Sequence, residues 1–552
     1  MDQTPKKEIT GFRLVFGYLG LFLVFIGVLT ALPLVMIAFY PSETGALFPF
    51  GVVGAADVVV GLILYFALIW KRKRQRFLRY QDAMLLTLTW LFAILSGAMP
   101  FFIAFLMGNT NSTFSSSFFE SASAYTSTGL TAFEQYVDSE NAFCPHVYCF
   151  HRALMQFIGG CGLILLLSSI LGGQNGTALY VGEGHSDKLL PNLARSARLI
   201  FGIYSMYTLV GAVALFLAGM DPFDAVCHSM CALAGGGMST RGANIAAFRA
   251  FDGTTTLNGL IPCSSVAIEI IIDVLVCFSA ISFVLHVYIL TGRWRKFLGD
   301  DETKAMLMLG VAGIIICFFA VLGYAYRQGG VGFFDHSSSA LRDSSFYVIG
   351  SMTTSGFANT SIERLRELGE PVIFICIILM LIGGGSGSTA GGIKMYRVVI
   401  MMRQVTFALV HRFDPEHKKS PFLTYRHGKT KEITQGQVIE SFSYMMIFLA
   451  VYFVSVIICC FLPEMGVENS CFDVASAISN VGTSLDDFVA YSVNYPGEWI
   501  ALSWTLAITM ILGRLEVIPI INAARNVYEE AAFKHKKRIS RRKAMASINE
   551  AY

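Results

Sequence analysis

One short segment occurs four times in this chain, each time between two long apolar runs. The copies are Glu120-Ser-Ala-Ser-Ala-Tyr-Thr-Ser-Thr-Gly-Leu130, His228-Ser-Met-Cys-Ala-Leu-Ala-Gly-Gly-Gly-Met238, Tyr347-Val-Ile-Gly-Ser-Met-Thr-Thr-Ser-Gly-Phe357 and Asp473-Val-Ala-Ser-Ala-Ile-Ser-Asn-Val-Gly-Thr483. They align on Gly129, Gly237, Gly356 and Gly482. A recurrence of roughly 110 to 125 residues is too long for a solenoid unit and implies four copies of a two-span module. Ser116, Asp224, Asp343 and Asn469 stand thirteen places before these glycines, and all four are preferred helix N-caps. Ser123, Cys231, Gly350 and Ser476 stand six places before, and all are small. The pattern predicts, in each copy, a capped helix of about three turns running into a Gly-centred extended stretch.

The flanking runs decide the environment. The chain has 552 residues, of which 54% are hydrophobic and 14% charged, which excludes an ordinary soluble protein of this size. Many runs exceed the roughly 20 residues that cross a bilayer. Ten spans are predicted: Phe12–Tyr40 and Leu47–Trp70, Ala83–Met107 and Phe150–Gly172, Leu199–Ala218 and Val266–Thr291, Ala305–Tyr324 and a broken Pro371–Met402, Gln437–Leu462 and Trp499–Ile521. The first pair has no such segment between its spans and reads as accessory. The expected division is an accessory pair (1–76), four repeats (77–195, 196–298, 299–434, 435–524) and a basic tail (525–552). No secretory signal is evident, since the first apolar run is too long for an h-region.

Basic residues follow the second span of each pair: Lys71–Arg76, Arg195 with Arg198, Arg293–Lys296, Arg403 with His411 and Arg412, and His535–Lys543. The positive-inside rule then places both termini in the cytoplasm and all four small-residue segments outside. Lys71–Arg76 could be a nucleic-acid patch, but beside a span it reads as an anchor, and no nucleic-acid partner is expected. The stretch from about Gln404 to Gln435, with Asp414-Pro-Glu-His-Lys-Lys419, reads as a solvated linker too short for a nucleotide-binding domain.

The extended stretches carry the chemistry: Thr126, Ser127, Thr128, Gly129; Ala234, Gly235, Gly236, Gly237; Thr353, Thr354, Ser355, Gly356; Ser479, Asn480, Val481, Gly482. They hold no acidic side chain. What they share is main-chain carbonyl, turned to one side where Gly takes positive φ. Rings of carbonyls replace the hydration shell of a monovalent cation, and helix ends aimed at the ring add negative potential. Gly383, Gly384, Gly385, Ser386, Gly387, Ser388, Thr389, Ala390, Gly391 and Gly392 interrupt an apolar run at half a bilayer's depth. Irregular backbone there must line protein or water, so the loop reads as a plug, or gate, beneath the ring. A phosphate loop would need a Gly-Lys-Ser/Thr ending, which is absent.

Arg514 lies about 15 residues into the last span and reads either as an electrostatic barrier or as a snorkelling side chain. It and Glu516 do not share a helical face. Glu269 and Asp273 read as an ion or proton relay or as ties within the bundle. His228 and His286 read as hydrogen-bonded structural residues. Cys144 and Cys149 read as a disulfide in a short outer loop or, with His146, as a metal pair. Parallel rather than inverted repeats argue against a midplane-site transporter. The acids present do not make an enzyme centre.

Five motifs together resemble the Trk/Ktr/HKT superfamily of potassium transporters, most closely its TrkH branch. They are Phe118-Phe-Glu-Ser121 with Thr126–Gly129, Gln156-Phe-Ile-Gly-Gly160, Leu285-His286 with Gly292-Arg293, Gly383–Lys394, and Leu512-Gly-Arg-Leu-Glu516. The resemblance covers nearly the whole chain. It implies an all-α integral membrane fold with four pseudo-four-fold repeats, each a span, a pore helix and a span, around one pore per chain, plus two extra N-terminal helices. It implies a homodimer in the bacterial inner membrane passing K⁺ and Rb⁺. Gly383–Gly392 would then be the gating loop and Arg514 a pore-blocking residue. It further implies a cytoplasmic TrkA-type partner that binds NAD(H), ATP or ADP, with no organic cofactor in this chain. A cation-coupled symporter (H⁺ or Na⁺) and a Na⁺-permeable member are the alternatives within the same fold. The second copy departs from the family, which usually has Ser or Thr before the Gly run where Ala234 stands here.

Overall fold

A computed structural model describes residues 8–9, 12–70, 73–74, 81–108, 113–133, 145–162, 193–327, 337–367, 369–411, 422–517 and short stretches at 520–521, 524–525 and 528. The accessory pair is α1 (Phe12–Ala31) and α2 (Leu47–Leu68). Their backbones approach closely because glycines face each other. A Cβ on Gly20 or on Gly27 would lie 2.7 Å from the carbonyl oxygen of Gly61 or Gly54 respectively. Lipid offers no hydrophobic drive between helices, so such close contact supplies the association.

The first repeat has α3 (Gln81–Leu106), α4 (Phe114–Tyr125) and α5 (His146–Cys161). The second has α6 (Leu193–Leu217), α7 (Pro222–Ala234), α8 (Ser265–Ala280) and α9 (Phe283–Leu290). After a short surface helix, α10 (Trp294–Gly299), come α11 (Asp301–Arg327), α12 (Ser337–Thr353), the short α13 (Ile362–Glu367), α14 (Glu370–Ile382) and α15 (Met395–Val410). The fourth repeat has α16 (Gln435–Cys460), α17 (Val467–Ile478), the short α18 (Phe488–Asn494) and α19 (Pro496–Arg514). Among the described residues six helices are long and apolar enough to cross a membrane, seven if the bent α8–α9 pair counts as one span.

The repeats close into a circle. α5 packs on α7, α8 on α12, α14 on α17, and α19 returns to α4. At that last seam Trp499 Nε1 donates to Ser116 Oγ (2.9 Å), Trp504 Nε1 donates to Ser115 Oγ (3.2 Å), and the Trp504 ring stacks on Phe118. So the second span of each repeat supports the short helix of the next.

Three expectations are corrected. Ser116, Asp224, Asp343 and Asn469 are not N-caps. Thr113, Asp221 and Gly466 occupy that place in copies one, two and four, three residues earlier. α12 begins six residues before Asp343. The predicted capping residues instead lie inside their helices, Ser116, Asp224 and Asn469 in the first turn and Asp343 in the second. There Asp224 and Asp343 accept from Arg241 and Arg249, Asn469 donates to Asp486, and Ser116 accepts from Trp499. Second, the interruption foreseen only in repeat three has counterparts elsewhere. α5 stops at Cys161 before Gly162 (φ 94°), α8 and α9 meet at 117°, and α19 stops at Arg514. Third, part of the expected linker is a β-hairpin, β1 (Leu423–Arg426) paired antiparallel with β2 (Lys429–Glu432). Lys71, Arg72, Arg76, Arg412 and His535–Lys543 lie outside the described residues, as do Asp414–Lys419.

Candidate functional site

The four short helices end in the same turn. The N–H of Thr128, Gly236, Ser355 and Val481 donates to the carbonyl of Ser123, Cys231, Gly350 and Ser476, at 2.8–3.0 Å. That six-to-one bond defines a Schellman ending, which needs one residue in the left-handed region. Ser127 (φ 58°), Gly235 (72°), Thr354 (54°) and Asn480 (55°) supply it. All four helix C-termini, with their partial negative charge, therefore face the stretches that follow.

Those stretches meet edge to edge. A Cβ on Gly129 would lie 2.8 Å from Gly237 N; one on Gly237 would lie 2.7 Å from Ser355 O. On Gly356 it would lie 2.9 Å from Gly482 Cα, and on Gly482 2.9 Å from Gly129 Cα. The order is one, two, three, four and back to one. Gly129, Gly356 and Gly482 have positive φ, whereas Gly237 does not. At the second copy, glycine is therefore demanded by the neighbour's closeness and not by φ.

Each helix also grips its own outgoing strand from the first residue of the repeated segment. Glu120 accepts from Thr131 Oγ1 and Ala132 N; the His228 Nε2 nitrogen and Ser239 Oγ lie 2.8 Å apart; Tyr347 OH and Thr360 Oγ1 lie 2.7 Å apart; Asp473 accepts from Ser484 Oγ and Leu485 N. Residue type changes while the tether persists. This role was missed in the sequence, although a polar residue opening all four copies signalled it. Glu120 is also paired at 2.7 Å with buried Arg152.

Packing from the first repeat accounts for Gly236 in the second copy. Gln156 of α5 reaches behind this copy, where its side chain would lie within 2.8 Å of a Cβ on Gly236, and its Oε1 accepts from Met238 N (3.3 Å). A side-chain amide from the neighbouring repeat thus occupies the room that any side chain at Gly236 would need. Gly237 O accepts from Asn244 Nδ2 (2.9 Å). Elsewhere Thr126 and Thr128 hydroxyls lie 2.7 Å apart, and Asn480 Nδ2 donates to Thr128 Oγ1 (3.1 Å). Ser355 Oγ and Ser479 Oγ are buried with no hydrogen-bond partner among the described residues.

Gly383–Gly392 lies directly against these stretches. Gly391 N donates to Thr354 Oγ1 (2.8 Å) and Thr389 Oγ1 to Leu233 O (3.3 Å). A Cβ on Gly391 would strike Ser479 O. The loop is pinned to the α8–α9 break by Gly385 N to Ala280 O (2.9 Å), Thr389 N to Ser279 O (3.2 Å) and Phe283 N to Gly387 O (2.8 Å). Ser388 Oγ donates to Gly385 O within the loop (2.6 Å). Gly384 O accepts from Met395 N, a Cβ on Gly383 would lie 2.9 Å from Gly392 Cα, and Ala390 O accepts from Lys394 Nζ. Ser386 N donates to Glu302 Oε2 (2.7 Å).

Arg514 closes this assembly from the fourth repeat. Its guanidinium donates to Thr389 O (2.8 Å), Gly159 O (2.5 Å) and Gly160 O (3.2 Å), so it bridges the loop to α5. It does not snorkel away. Glu516 lies beyond the end of α19, at φ 49°, and turns instead to Arg397 (2.8 Å). A cavity of about 30 Å³ lies among Gly160, Gly391, Lys394, Asn480, Gly513 and Arg514. Two cationic side chains thus share a small chamber under the ring with the Glu516 carboxylate.

The remaining candidates sort by contact. Glu269 is a structural tie: it accepts from Arg249 (3.1 Å), Arg342 (2.6 Å) and Asn359 (3.2 Å), joining α8 to α12 and to the segment after copy three. His228 is hydrogen-bonded at both ring nitrogens. His286 is buried among Tyr204, Tyr207 and Phe278, beside the backbone of the α8–α9 break. Cys144 lies outside the described residues, and Cys149 is buried within α5 and not in a loop. His146 meets Glu43 (2.7 Å), whose carboxylate also accepts from His146 N and Val147 N and so caps α5.

Comparison with known proteins bears on this geometry. The family model TrkH, described as cation transport protein, matches residues 54–536. The Trk system potassium uptake protein TrkH of Escherichia coli (strain K12) is 29% identical over 529 residues, covering 92% of this chain and 98% of that protein. An uncharacterized cation transporter of Methanocaldococcus jannaschii is 26% identical over 523 residues, covering 94% and 95% respectively. The crystal structure of the potassium transporter TrkH from Vibrio parahaemolyticus aligns with a TM-score of 0.75 at 25% identity, covering 93% of this chain and 98% of that one.

Proposed function

This chain belongs to the TrkH family of cation transport proteins, and from that premise we propose that it carries potassium across the bacterial inner membrane along the axis ringed by Gly129, Gly237, Gly356 and Gly482. The observation that carries the reading is the closed circle of four stretches, each within contact of the next. Carbonyl and hydroxyl oxygens are the polar groups such a ring offers, suited to a dehydrated monovalent ion. The hydroxyls of Ser355 and Ser479, buried with no hydrogen-bond partner among the described residues, lie within these stretches. Thr126–Gly129, Ala234–Gly237, Thr353–Gly356 and Ser479–Gly482 form the filter.

Gly383–Gly392 is the gate and Arg514 its bolt. The bolt works by hydrogen bonding as well as charge, since it ties Thr389 O to α5 and places a cation in the ion's path. Both termini lie in the cytoplasm. The chain acts as a homodimer under a cytoplasmic nucleotide-binding subunit, and its role is transport and not catalysis.

Radioactive rubidium uptake tests this. Wild type restores uptake to a potassium-transport-deficient bacterium, and Gly237→Ser abolishes it; unchanged uptake in that variant refutes the filter. In liposomes containing this chain alone, Arg514→Ala raises rubidium flux, and an unchanged flux refutes the bolt.

A further inference from the structure

We propose that the cytoplasmic hairpin β1–β2 latches the intramembrane loop through Glu302, so that a pull on the hairpin frees the gate. This rests on reading Gly383–Gly392 as a gate. Three consecutive acids stand where α11 begins: Asp300 just before it, then Asp301 and Glu302 as its first residues. Asp301 accepts from Tyr425 N (2.6 Å) and Thr424 Oγ1 (2.9 Å) and pairs with Arg403 (2.7 Å); Asp300 accepts from His427 N (2.8 Å). The first two acids thus seat the hairpin.

Glu302 does something different. One of its oxygens accepts from Arg426 Nε (2.8 Å), and the other accepts from Ser386 N in the loop (2.7 Å). Both side chains of this ion pair are nearly sealed from solvent, at 7% and 5% exposure. The Arg426 guanidinium also lies 3.9 Å over the ring of Tyr396, just past the loop. Arg426 is therefore packed against both the loop's anchor and the helix that follows it.

Glu302 acts here as a positioning residue. Without Arg426, its carboxylate would be buried and unpaired, and it would turn toward water instead of holding Ser386 N. The loop has somewhere to go: an apolar cavity of about 230 Å³ reaches Gly385, Glu302, Thr303 and Met306. The hairpin's outer strand, Lys429–Glu432, is exposed along its length and so offers a grip to a cytoplasmic partner.

The test uses the full chain in liposomes. Glu302→Ala and Arg426→Gln each raise rubidium flux about tenfold, the range expected for one charge-assisted hydrogen bond. The double variant gives no more than either single, because both act through one contact. Hydrogen exchange at the Ser386 amide quickens in both, while Arg426→Lys restores slow exchange. Multiplicative effects, unchanged Ser386 exchange, or unchanged flux while Arg514→Ala still opens the pore would overturn the latch. Failure of Arg514→Ala itself would strike the gate reading instead. Should Glu302→Ala not fold, the comparison of Arg426→Gln with Arg426→Lys decides alone.

Discussion

Replacing the ring glycines one at a time separates two costs that the structure assigns to different positions. Gly237 has an ordinary φ, so alanine there meets only its neighbour. The 2.5 Å from the new Cβ to Gly356 O falls short of an ordinary contact of about 3.5 Å by roughly 1 Å. The third stretch must yield by that amount, more than the roughly 0.5 Å within which a functional constellation is held. Gly259 is the complement: its φ is +69°, and nothing lies within 4 Å. Alanine there costs about 1 kcal/mol of backbone strain and touches nothing. Gly482 combines both burdens, with φ +104° and Gly129 Cα at 2.9 Å.

Rubidium uptake, normalised to folded protein by size-exclusion chromatography, is the assay. Gly237→Ala and Gly482→Ala lose uptake at least about tenfold, as one missing transport-critical contact would give. Gly259→Ala matches wild type in uptake. Wild-type transport by Gly237→Ala refutes the argument that ring contact, and not left-handed backbone, holds this glycine in place. Loss of transport in Gly259→Ala would refute the assumption that φ strain acts only locally.

Other outcomes follow from the contacts. Glu269→Gln leaves Arg249 and Arg342 without their shared carboxylate; because both are partly exposed, the cost is about 1–3 kcal/mol. It appears as a lower melting temperature with an unchanged pH profile of flux, and the reverse pattern would restore Glu269 to a proton relay. Glu43→Gln weakens the cap on α5 and the tie to the accessory pair, costing about 1 kcal/mol with transport retained. Equal stability of that variant would show the cap to be idle.

The helical membrane class, the four modules, their glycines and the broken third repeat are all legible in the order of residues. Each depends on local rules: apolar length for a span, backbone permissiveness for glycine, the cost of irregular backbone in lipid. Other features depend on which distant segments come to lie side by side. That Gly482 faces Gly129, that Gln156 fills the room beside Gly236, and that Arg514 reaches Gly160 follow from closure of the circle. The misplaced caps show the same division. Thirteen-residue spacing correctly picked out four polar positions, but their partners Arg241, Arg249, Asp486 and Trp499 converted them from caps into ties. A residue's type records what it can bond; only the packed chain determines what stands within reach.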